Sequence, residues 1–419
     1  MVKAPQTFLG ESMLQSGDTA FVLISAALVL LMIPGLALFY GGMVRKKNVL
    51  GTIMQSFILI SLISIEWVYL GYSLSFGPDM GGLLGSLAWA GLGGVGAAPN
   101  PNYAATIPHL AFAMFQCMFA AITPALITGA VAERMRFGPF LVFSLAWTIL
   151  VYNPVCHWVW GNGGWLKEMG VLDFAGGIVV HLTCGAAALA AVMVTGPRKD
   201  HGRHQIVPHN LPMTLLGTGL LWFGWFGFNA GSALAADGVA AGAFAATHLG
   251  GMAGMATWCA IEWWHRGRPT TLGAASGAVA GLATITPGAG FVAPGAAVFI
   301  GMLAGLVCYG AVLLKARLRF DDSLDVVGIH GVGGVLGTLL VGVLAQKLVN
   351  PAGADGLLYG NPAQCGTQIL AVAVVGVFAF AVSWILLVGV KATMGLRLDP
   401  QAETVGLDLS EHTESAYGE

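Results

Sequence analysis

Residues 19–44 read TAFVLISAALVLLMIPGLALFYGGMV, with no charged side chain among them, and Arg45-Lys46-Lys47 follows at once. About 20 such residues in a helix cross a hydrocarbon core about 30 Å thick. Basic residues gather on the cytoplasmic side of membrane proteins, so the triplet also gives the run a direction, entering from outside at 19 and ending inside at 44. Residues 1–18 hold no apolar stretch of the kind a cleaved signal peptide needs, and 19–44 is too long to be one; it reads as a true span.

The pattern repeats along the chain. Further apolar stretches lie at 49–75, 107–132, 137–160, 174–195, 211–233, 238–263, 271–287, 294–315, 326–349 and 366–393, eleven spans in all. The basic residues test that count. Arg134 and Arg136 follow the third span, Arg198, Lys199 and Arg203 the fifth, and Arg266 and Arg268 the seventh. Lys315, Arg317 and Arg319 follow the ninth, and Lys391 and Arg397 the eleventh. Of 18 Lys and Arg, only Lys3, Lys167 and Lys347 fall on the other side. The expected chain is therefore an all-α membrane protein with its N-terminus outside and its C-terminus inside; an even number of spans breaks the alternation. Residues 1–394 form the membrane domain and 395–419 a cytoplasmic tail.

Composition agrees. The chain is 56% hydrophobic and 9% charged, against about a quarter charged in soluble domains. A net charge of −2 leaves too little positive potential for nucleic acid. The cysteines, Cys117, Cys156, Cys184, Cys259, Cys308 and Cys365, show no CxxC or Cys/His ligand spacing, so neither a disulfide framework nor a metal site is expected. Glycine is abundant at 61 residues and falls inside spans, as at Gly250-Gly251 and Gly331, Gly333 and Gly334. Small residues let helices approach closely in lipid, and a tight bundle is expected.

Ionisable residues inside spans are costly, so each is a candidate for function. His181 lies in the fifth span and His330 in the tenth, and each follows an aspartate by eight positions, Asp173 and Asp322. Eight helical residues rise about 12 Å. The two spans start from opposite faces, so both histidines fall near the midplane, where they can meet. The same spacing suggests an inverted repeat of five plus five spans with an eleventh added. A lone histidine reads first as a core residue bonded to a carbonyl; it is the shared depth that reverses the preference in favour of a pair. Asp173, Asp322 and Asp325 read first as helix caps and local ion partners, and Glu66 and Glu262 as structural hydrogen-bonding groups.

An aromatic group marks the outer side. Trp160 ends the fourth span, Phe115 and Phe119 share a face of the third, and Phe228 lies in the sixth within Gly224-Trp225-Phe226-Gly227-Phe228-Asn229-Ala230-Gly231-Ser232. Interfacial aromatics usually serve as anchors. With a hydroxyl beside them they also suit a cation, each ring face contributing roughly 0.5–2 kcal/mol.

These residues carry a resemblance. Asp18-Thr19-Ala20, Pro34 through Gly42, Phe115-Gln116-Cys117, Asp173 through His181, Pro208-His209-Asn210-Leu211-Pro212, Gly224 through Ser232 and Asp321-Asp322 through His330-Gly331 make the chain resemble the ammonium transporter family, related to the Rhesus glycoproteins, nearly end to end. The resemblance implies an outer ammonium-recruitment site of Trp160, Phe119 and Ser232, and a gate of stacked Phe119 and Phe228. Below it would lie a hydrophobic pore holding His181, His330 and Trp225, with Asp173 organising the recruitment site without touching substrate. It further implies eleven helices, a homotrimer with a pore in each subunit, a location in the cell's inner (plasma) membrane, and no cofactor.

On this reading NH4+ binds outside, loses its proton near the gate, and ammonia crosses, because burial disfavours the charged form; the histidine pair relays the proton. A sensor with little transport is the alternative, although no signalling segment follows the tail. An intramembrane metalloenzyme is a remote one, since two histidines lack a third ligand. The tail carries Asp399, Glu403, Asp408, Glu411, Glu414 and Glu419 against Arg397, too polar to enter the membrane, and the resemblance suggests docking of a PII-type signalling protein there. Family members often show a His-Gly-Glu run in the tail; here Glu411-His412-Thr413-Glu414 places threonine at the glycine.

Overall fold

The computed structural model describes residues 14–204, 206–318 and 320–418; Lys3, Arg319 and Glu419, counted in the charge pattern above, lie outside them. The chain is an all-helical membrane protein. Among the described residues ten helices are long and apolar enough to span: α1 (Ser16–Met43), α2 (Lys46–Phe76), α3 (His109–Val131), α4 (Phe137–Glu168), α5 (Gly177–Thr195), α6 (Leu211–Ala233), α7 (Gly238–Arg266), α9 (Pro294–Arg317), α10 (Val327–Leu344) and α11 (Pro362–Met394). Between the seventh and ninth lies the shorter apolar α8 (Thr271–Ile285). Its 15 residues rise only about 22 Å. From Ala275 to Ile285 every residue of it is buried, so its length is matched to neighbouring helices rather than to lipid.

Glycine sets the spacing between helices. A Cβ at Gly42 of α1 would lie 2.4 Å from Thr214 Oγ1, and one at Gly217 of α6 would lie 2.3 Å from the Phe39 nitrogen. Any side chain there forces α1 and α6 apart. Among the expected limits that shift, two have a visible cause. The tenth helix stops at Leu344 instead of running to 349, because the chain turns out at Ala345 to hydrogen-bond other segments: Gln346 N to Phe291 O at 2.9 Å and Gly356 N to Ala345 O at 2.8 Å. The eleventh starts earlier, at Pro362, since proline in the first turn forfeits no helical hydrogen bond.

The basic residues that follow the odd-numbered spans do not simply face water. Those after α1, α3, α5, α9 and α11 converge at one end of the bundle. Glu133 pairs with Arg45 at 2.9 Å and Arg198 at 3.1 Å, and Arg198 also holds Asp321 at 2.8 Å. Arg134, wholly buried, donates to the carbonyls of Gly196 at 2.8 Å and Asp321 at 2.8 Å, and to Ser323 Oγ at 2.6 Å. Burial by itself raises the Asp321 carboxyl, but the Arg198 hydrogen bonds and charge outweigh it and hold it well below the usual carboxylate range. Glu66 and Glu262 have the structural roles expected: Asn153 Nδ2 donates to Glu66 Oε1 at 2.8 Å, and Glu262 accepts from Thr270 N at 2.8 Å.

The tail folds back on the same end as two short helices, α12 (Pro400–Val405) and α13 (Leu407–His412). Asp408 accepts from Gly51 N at 2.9 Å, Asn48 Oδ1 from Leu407 N at 2.9 Å, and Glu411 from Phe137 N at 2.8 Å. Glu403 pairs with Arg397 at 2.7 Å. Its acidic side chains are thus committed in part to the N-terminal ends of α2 and α4.

Candidate functional site

Two helix starts build the site. At the entry to α5, Asp173 accepts four amides, those of Gly176, Gly177, Ile178 and Val179, at 2.8, 2.6, 2.7 and 3.1 Å. Gly176 sits at φ 113°, a backbone conformation open to glycine at little cost. The carboxylate is therefore a cap, and each of its oxygens is filled by two amides. Its main chain does a second job: the Asp173 carbonyl accepts the Trp160 indole N–H at 2.8 Å, which fixes the tryptophan ring. Asp322, at the same spacing before His330, is used differently. One oxygen accepts from Val327 N at 2.8 Å, the other has no partner, and Asp325 forms an ion pair with Lys315.

Phe115, Phe119, Trp160 and Phe228 come together in the structure. Phe119 packs edge-on to Trp160 with centroids 6.0 Å apart and stacks on Phe228 at 4.2 Å and 28°, while Phe115 supports Phe119 at 5.0 Å. Trp160, Ser232 and Asp173 line one cavity of about 770 Å3. Ser232 Oγ donates to the Phe228 carbonyl at 2.9 Å. Its proton is thereby committed and its lone pairs remain for a donor in the cavity, the polarity a cationic N–H donor needs.

Below the stacked rings lies the histidine pair. His181 and His330 approach Nδ1 to Nδ1 at 3.2 Å, with ring planes 19° apart, and both are buried. The His181 ring lies 6.3 Å from Phe228 and 5.6 Å from Trp225, and Trp225 is anchored by its indole N–H to Thr286 Oγ1 at 2.9 Å. A narrow cavity of about 10 Å3 runs here between the two histidines, Trp225, Phe228 and apolar side chains such as Leu36 and Val180. Among the described residues no three His, Cys, Asp or Glu are placed to hold a metal ion.

What brings the histidines together was not foreseen. Each sits in a π-helical segment, Gly177–Leu182 and Val327–Gly331, a widened turn often found at functional sites. Just beyond, α5 and α10 touch backbone to backbone: a Cβ on Gly185 would lie 2.2 Å from Gly331 Cα. The glycines were visible in the sequence, but not which of them meet. The partners of Trp160 and Trp225, a carbonyl and a threonine, carried no sequence signal.

Comparison with known proteins follows the same line. Residues 20–417 match the family model described as Ammonium Transporter Family. An ammonium transporter of Bacillus subtilis (strain 168) is 52% identical over 405 residues, covering 96% of this chain and 99% of its own. The crystal structure of Saccharomyces cerevisiae Mep2 superposes with a TM-score of 0.88 at 36% identity, over 93% of this chain and 89% of that one. A structure named Sensor Amt Protein superposes at 0.87 and 30% identity, over 96% and 99%. With a match that runs from the first span through the tail, and with the fold to go with it, the chain belongs to the Ammonium Transporter Family.

Proposed function

We propose that this chain transports ammonium, recruiting NH4+ at Trp160, Phe119 and Ser232, releasing its proton near the Phe119–Phe228 gate, and passing ammonia along His181, His330 and Trp225. One observation carries the reading: an unbroken file of rings from Trp160 through Phe119 and Phe228 to the two imidazoles, entered from a cavity lined by both polar and apolar side chains and walled below by apolar ones. Ring faces and a hydroxyl lone pair attract a small cation where water still reaches it. Deeper, an isolated charge is far costlier to bury than a neutral molecule, so the proton leaves at the gate. The relative named as a transporter is 52% identical, against 30% for the sensor structure; transport is the reading carried forward.

With this function go eleven membrane-crossing helices, α8 included, arranged as five, five inverted and one. The N-terminus lies outside, the inner surface of the plasma membrane meets the charged end, residues 1–394 form the membrane domain, and three chains assemble. Replacing Trp160 by leucine tests the recruitment site. Ammonium half-saturation in that variant is expected to rise several-fold, on the order of the 0.5–2 kcal/mol of one cation–π contact, with discrimination against K+ weakened and the oligomer intact by size-exclusion chromatography. Unchanged kinetics and selectivity count against the site.

Residues 395–419 offer the docking surface for a PII-type protein of the host. Pull-down with that protein is expected to succeed with the full chain and fail with a chain truncated after Arg397. Equal capture of both leaves the tail as a clasp on α2 and α4.

A further inference from the structure

The cavity beside Trp160 also holds a positive charge belonging to the chain itself. Lys167 Nζ donates to the Trp160 carbonyl at 3.2 Å and stands 5.7 Å from the centroid of the Tyr103 ring. Tyr103, Trp160, Lys167 and Ser232 line the same cavity. An acceptor oxygen and a ring face within about 6 Å are the contacts by which proteins hold ammonium groups, and a lysine head is itself a primary alkylammonium. The ring is held ready for such a group independently of the lysine. Its hydroxyl donates to Phe76 O at 2.6 Å and accepts from Asn162 N at 3.1 Å, and it stacks on Phe112 at 5.1 Å and 16°.

A fixed cation at the mouth of a cation-collecting site works against capture, and nothing in the transport route above uses it. We infer that the Tyr103 ring face and the Trp160 carbonyl form a second cation position in that cavity, for ammonium or a primary alkylammonium, which Lys167 fills as a tethered occupant. Lys167 thereby sets the affinity of the mouth. The inference rests on the ammonium reading of the neighbouring site.

Calorimetric titration of the purified full chain with ammonium chloride tests it, alongside ammonium-evoked currents. Lys167→Ala removes the charge and vacates the ring face; Lys167→Met removes the charge but leaves a side chain long enough to cover the ring. Lys167→Ala is expected to bind one more ammonium per chain than wild type and to lower the half-saturating concentration roughly two- to ten-fold, the range given by one unit charge removed several ångströms away in a wet cavity. That gain shrinks at high salt, where the screening length falls to about 3 Å at 1 M. Lys167→Met is expected to keep the wild-type stoichiometry, and Lys167→Arg to keep the wild-type affinity as well. Identical isotherms for the alanine and methionine variants, or an alanine variant indistinguishable from wild type, overturn the second position. A wild type that binds ammonium but carries no current sinks the transport reading instead, and the isotherms still decide the second position.

Discussion

A chain carrying both His181→Ala and His330→Ala is expected to fold and assemble but to lose ammonium-driven charge movement, by on the order of 100-fold or more, the usual contribution of a positioned proton-transfer group. The reason is in the contact. Two Nδ1 atoms at 3.2 Å bond only if one carries the hydrogen and the other accepts it. The ring that donates then has a bare Nε2, and the ring that accepts carries its hydrogen on Nε2. The pair therefore presents one acceptor and one donor to the pore, and moving a proton through it exchanges the two roles. His181 Nε2 has no protein partner, which leaves it for a passing molecule. A second positive charge on the pair is opposed by desolvation and by repulsion. Alanine at both positions removes donor and acceptor together. His330→Glu keeps a protonatable group at that depth, and partial transport with a shifted pH profile is expected of it. Currents in the double alanine variant equal to wild type at every pH would falsify the twin-histidine route while leaving transport itself standing.

The second large effect is expected at Gly185, which touches no substrate. A Cβ there meets Gly331 Cα at 2.2 Å and Gly331 N at 2.6 Å, and these are backbone atoms of the neighbouring helix that have no rotamer to escape into. Gly185→Ala must push α5 from α10, at the 1–3 kcal/mol or more that overpacking costs. Because His330 is the residue before Gly331, the same displacement opens the imidazole contact. A lower melting temperature in detergent is expected, with transport reduced about ten-fold, and Gly185→Val is expected to be worse on both counts. Gly389→Ala on α11 is the control, since a Cβ there has no neighbour within 4 Å. If Gly185→Ala melts and conducts like Gly389→Ala, the backbone crossing does not hold the pair together.

These two cases show how far the sequence can be read. Hydropathy and the alternation of basic residues located the helices to within a few residues in most cases, because bilayer thickness dictates their length. Depth was legible too: eight residues from Asp173 and from Asp322 placed His181 and His330 at one level, and they do meet. The reading was poorer wherever a partner is a generic group. Nothing in the sequence distinguishes Gly185 from its neighbours until the helices are docked, and the Asp173 carbonyl that orients Trp160 is an atom every residue has. In the sequence Arg134 looks like a loop charge, yet it is buried against the carbonyls of Ala130, Gly196 and Asp321, because a charge count cannot tell a residue facing water from one stitching loops together. The two aspartates matched in spacing but not in use, Asp173 taking four amides and Asp322 one.

Movement of ammonium across a membrane by this chain is read in proteoliposomes of the purified protein exposed to a rapid ammonium pulse, with current and internal pH recorded together. A transporter gives a transient that saturates with ammonium concentration, is absent from empty liposomes and is not reproduced by K+; neither current nor a change in internal pH means that the chain does not carry ammonium.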